Sequence, residues 1–105
     1  MTEEELNGFK ELAESINQIT QNAFLVYEPQ VDRIYRNKVK DKKEIESIIE
    51  ALLDYSYDDK VLMLFKRICQ YYYKINPTVT YEYVMIYRDM WDDEYLDKKE
   101  EENTK

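Results

Sequence analysis

The chain of 105 residues has no histidine, one glycine, two prolines and one cysteine. Each shortage closes off a class of chemistry or fold. Without histidine there is no imidazole to serve as a general base near neutral pH or to ligate a metal. A Ser-His-Asp arrangement is therefore excluded for Ser15, Ser47 and Ser56 alike. Gly8 alone cannot form a phosphate-cradling loop, which needs several glycines for close backbone approach. Zinc and EF-hand patterns fail on His, Cys and Gly spacing. So few turn formers also argue against an all-β fold. Cys69 has no partner for an internal disulfide, which points to a reducing compartment. It falls inside an apolar helical stripe and reads as a packing residue rather than a reactive thiol. No stretch approaches the ~20 apolar residues of a membrane helix. The opening Met1-Thr2-Glu3-Glu4-Glu5 is acidic and is no signal peptide. The expected location is the cytoplasm. No catalytic residue, metal site, cofactor or small-molecule substrate is expected.

What is present is the material of helices. The hydrophobic fraction is 44% and the charged fraction 36%, a globular balance, with Leu, Ile, Glu and Lys abundant. The length fits one domain, expected over residues 1–99, with 100–105 a frayed acidic tail. The rich supply of Lys, Ile, Asn and Tyr is an association, not a physical argument, with AT-rich coding sequence of the phage or mobile-element kind.

Apolar periodicity predicts an all-α fold, a compact four- to five-helix bundle with short loops. A first helix runs from about Thr2 to Leu25, with Leu6, Phe9, Leu12, Ala13, Ile16, Ile19 and Ala23 on one stripe and Thr2/Glu5 as a capping box. Glu28-Pro29 predicts a break, because the residue before proline avoids the α region. A short second helix restarts at Pro29. A third begins at Asp41, with Ile45, Ile48, Ile49, Leu52 and Leu53 at i, i+3, i+4, i+7 and i+8. A fourth spans about Asp58 to Lys74, capped by Ser56, and its broad apolar arc marks it as central. The fifth spans about Thr78 to Lys98, although Thr78–Tyr83 is rich in strand formers.

Two acidic groups invite a catalytic or metal reading. Tyr57-Asp58-Asp59 is better explained as a helix start, where the macrodipole favours negative charge. Asp92-Asp93-Glu94 is better explained as a solvated face, since adjacent helical residues point apart.

Binding is carried by three other features. On the last helix, Tyr83, Ile86 and Met90 extend the apolar arc, edged by the acidic stripe Glu82, Asp89, Asp93 and Asp97. Such a patch suits a protein partner with a basic rim. The bland alternative is that the arc packs inside and the acids are a wet face. Residues 30–43 hold six cations and two acids, a local balance of +4 in a chain of net charge -8. There Arg33, Arg36, Lys40 and Lys43 share one stripe if the helix is continuous, a contact for an anion or an acidic partner. The third feature is the eleven tyrosines, of which Tyr71-Tyr72-Tyr73 cannot all face inward.

The expected function is a non-catalytic protein-binding module, a small acidic regulator or inhibitor that docks on a basic surface. Self-association as a homo-oligomeric structural protein is one alternative. A helix-turn-helix DNA or RNA regulator, reading through Lys60, Arg67, Gln70 and Lys74, is another. The negative net charge disfavours nucleic acid, and no membrane partner is expected.

Overall fold

A computed structural model describes residues 2–92 and 94. Among these the fold is all-α: α1 (Glu3–Asn37), α2 (Lys42–Leu53), α3 (Asp59–Tyr73) and α4 (Pro77–Trp91). The expected first and second helices are one. The predicted break at Glu28-Pro29 does not occur, and α1 runs 35 residues through Pro29. The reason is where the proline points. Tyr27, Val31 and Ile34 lie on the packed face, whereas Pro29 is exposed on the opposite side. There Leu25, whose carbonyl loses its amide donor, is exposed to solvent, and packing on the far face holds the helical path. Gln30 also donates its side-chain amide to the Val26 carbonyl, 3.2 Å away.

Helix termini follow local chemistry. Thr2 and Glu5 form the capping box of α1. Its C-terminus closes on Lys38 in the left-handed conformation, φ 52°. Asp41 caps α2, and Asn76 caps α4 with Pro77 in its first turn. Asp58, not Ser56, caps α3, accepting from the Lys60 and Val61 amides. Ser56 is buried and donates to the Leu52 carbonyl at 2.7 Å, which also accepts the Tyr55 amide at the end of α2.

The core lies between α2, α3, α4 and the C-terminal half of α1. It holds Val31 and Ile34 of α1, all five apolar positions read on α2, and Val61, Leu64, Phe65, Ile68, Cys69 and Tyr72 of α3. Each fully buried aliphatic contributes about 1.5–3 kcal/mol relative to exposure. Helices α2 and α3 each touch all three others, and α3, with six buried side chains, is the central one. The segment Thr78–Tyr83, rich in strand formers, is helical within α4; a strand there would have no partner.

The molecule is more drawn out than a compact bundle. Its radius of gyration is 16.8 Å, against about 13 Å for a compact domain of this length. The cause is α1. At 1.5 Å per residue it is about 52 Å long, more than twice any partner helix. Its N-terminal half therefore projects as an arm.

Candidate functional site

Every residue from 2 to 19 is exposed. This arm is nevertheless amphipathic. With about 100° per residue, Leu6, Phe9, Ala13 and Ile16 continue the face that Thr20, Ala23, Tyr27, Val31 and Ile34 turn to the body, with no change of phase. The same stripe is thus covered from Thr20 onward and bare before it. Phe9 is 65% and Leu12 58% exposed, and Leu6, Ile16 and Ile19 are open as well. Scattered apolar side chains on a surface are ordinary, but a contiguous run of this kind marks a contact site. The arm is acidic: Glu5 lies within the stripe and Glu3 and Lys10 beside it, while Glu4, Glu11 and Glu14 occupy the opposite face.

The root of the arm is fixed by polar contacts. Thr20 donates or accepts at the Tyr57 hydroxyl, and Thr20 also lies 2.9 Å from the Ile16 carbonyl. Tyr57 stacks edge-on to Trp91, with centroids 5.3 Å apart. The Trp91 indole donates to the Leu53 carbonyl at 2.8 Å, at the end of α2.

Of the patch expected on the last helix, one member, Tyr83, is turned inward. Tyr83 is only 8% exposed, and its hydroxyl donates to Glu50 at 2.9 Å, so it belongs to the core. Glu82, Ile86, Asp89 and Met90 are exposed on α4. Asp93 and Asp97 lie outside the described residues. A groove of about 420 Å³ runs between α3 and α4, lined by Leu62, Phe65, Cys69, Val84 and Tyr87 among others. Burial pushes the Cys69 thiol up from 9.0 to about 12, so it stays protonated and inert at neutral pH.

The basic stripe is also redistributed. Because α1 ends at Asn37, Arg33 and Arg36 sit on α1, Lys40 in the turn and Lys43 on α2, all exposed. Arg33 pairs with Glu44. The cations gather at one corner of the molecule, the opposite end of α1 from the acidic arm. The face expected of a recognition helix is partly spoken for: Arg67 binds Asp32 at 2.8 Å and lies over the Tyr35 ring. Tyr73 is the member of the tyrosine triplet that faces solvent, while Tyr72 is buried and Tyr71 donates to the Val39 carbonyl.

Among the described residues no group of three or more acids or thiols is placed to hold a metal ion. No helix among them is long and apolar enough to cross a membrane. Compared with known proteins, the chain matches no family model, no curated protein and no solved structure.

Sequence reasoning missed the arm. The sequence pattern puts Leu6 to Ala23 on one apolar stripe of a helix ending near Leu25, and that pattern does not distinguish the covered part of the stripe from the bare part. The signal was in the lengths: helices of 12 and 15 residues cannot cover one of 35.

Proposed function

We propose that this chain is a non-catalytic protein-interaction module that acts through the α1 arm. The observation that supports this reading is the continuous apolar stripe of α1, packed in its second half and uncovered in its first. Helix α1 stores binding surface that the body does not use. The excess of acids on the arm suits a partner of basic charge with an apolar seam, so charge steers the encounter and the apolar side chains hold it. The helices α2 to α4 serve as a small bundle that anchors the arm. On this reading the protein is a small acidic regulator working by contact, in the cytoplasm, where a lone buried thiol is compatible with reducing conditions.

The test is capture by the full chain against the doubly substituted Leu12→Asp/Ile16→Asp chain. Both positions are exposed, so the body should keep its thermal transition. Loss of every partner, including further copies of the chain itself, is the expected result. An unchanged set of captured proteins would remove the arm as the docking site.

A further inference from the structure

We infer that the occupant of the α1 face is a second copy of this chain, lying antiparallel along α1; this rests on the docking reading above and names its partner. A single row of residues carries the argument. Positions seven apart fall on nearly one side of a helix, drifting by about 20° per heptad. On α1 that row reads Glu5, Leu12, Ile19, Val26, Arg33. Its apolar members are 58%, 53% and 53% exposed, and the charged ends are exposed too. The row stays open even beside the body, where the neighbouring row through Ala23 is covered.

The chemistry along the row is acid, three aliphatics, base. A parallel pair would set Glu5 on Glu5 and Arg33 on Arg33. An antiparallel pair, with its two-fold axis at Ile19, sets Leu12 against Val26 of the second copy. It also sets Glu5 against Arg33, once at each end. Arg33 already holds Glu44, but a guanidinium has five donors and can take a second carboxylate. Phe9 and Ile16 flank the row on one side, Gly8 and Ser15 on the other. A Cβ at Gly8 would meet nothing within 4 Å, so a second backbone can come close there. At roughly 100 Å² apiece, Phe9, Leu12, Ile16, Ile19 and Val26 bring about 1,000 Å² of apolar surface from two copies, the area a specific interface needs. The contact is isologous and closes on itself, which limits it to a dimer.

Sedimentation equilibrium of the full chain over a wide concentration range should give twice 12.9 kDa. Ile19→Asp places two charges on the axis and should weaken the dimer at least ~100-fold while the body still melts cooperatively. Glu5→Arg and Arg33→Glu should each weaken it several-fold at low salt, and the two together should restore it. A chain monomeric at every concentration overturns the proposal, as does a dimer indifferent to Ile19→Asp. Single charge reversals without effect overturn the antiparallel register. If the wild type is monomeric yet Leu12→Asp/Ile16→Asp abolishes capture, the second copy is refuted and the docking face stands. If capture is also unaltered, both fail.

Discussion

The tyrosine hydroxyls do much of the polar work between helices. Tyr72 of α3 and Tyr83 of α4 donate to Glu46 and Glu50, one turn apart on α2. Burial raises both phenols above their usual value of 10.0, and the acceptor carboxylates raise them further. Cys69 is raised to about 12 by burial alone. All three groups are neutral when protonated, so the folded state holds their protons at a pH where the unfolded chain has released them. That stability is complete below the unfolded values and is lost as pH climbs towards the folded ones. The denaturant midpoint should therefore fall progressively above about pH 9, and Tyr72→Phe/Tyr83→Phe should flatten that fall; an equally steep loss in the variant would place the alkaline sensitivity elsewhere. At pH 7, Tyr83→Phe alone should cost about 0.5–1.5 kcal/mol by equilibrium unfolding, because exposed Glu50 can turn to water once its donor is gone. The surplus of tyrosine was legible in the sequence, but its use was not. A phenol that packs and one that lies on a surface have the same composition, and only the proximity of Glu46 and Glu50 decides between them.

Helix α1 shows where local rules yield to tertiary packing. Glu28-Pro29 is a valid break signal for an isolated chain, yet the packed face of Tyr27, Val31 and Ile34 outweighs one missing bond on the wet side. If so, the proline is a local cost without structural benefit. Pro29→Ala should raise the melting temperature, with a gain of up to ~3 kcal/mol; a fall would mean the proline is needed to shape the helix. The arm carries its own weak point at Gly8, which has open space around its α carbon. Gly8→Ala should increase arm helicity by circular dichroism by about 1 kcal/mol of helix propensity. By contrast α2 was fully legible, because its five apolar positions fit one helical face and all five are buried. The caps of α1 and α2 were legible for the same reason: they depend only on side chains within three residues. The loss of Tyr83 from the expected patch, and the gain of the arm, depend on which helices are long enough to cover which others. That is a relation between elements, and periodicity within one element carries no record of it.

At the scale of the whole molecule, stability is distributed very unevenly. Helix α3 contacts every other helix, and α2 buries five apolar side chains against it. Every arm residue before Thr20 is exposed, and none belongs to the core. An isolated helix of this length is marginal in water, so an uncovered arm should open locally at almost no cost. Native-state hydrogen exchange should then separate two classes in dilute protein. Amides in 48–52 and 64–72 should exchange only on global unfolding, while those in 6–16 should exchange close to the rate of a frayed helix. Raising the concentration should slow the second class, and slow the first by no more than the same factor, because global unfolding of a dimer also requires dissociation. A second copy laid along α1 excludes water from Leu12, Ile16 and Ile19, and local opening then requires dissociation as well. Protection in 6–16 should rise with concentration in step with the dimer seen by sedimentation, and it should stay low in Ile19→Asp. Arm protection that is high in dilute solution would mean the helix is stable without a cover, and the uncovered stripe would no longer need a partner to account for its order.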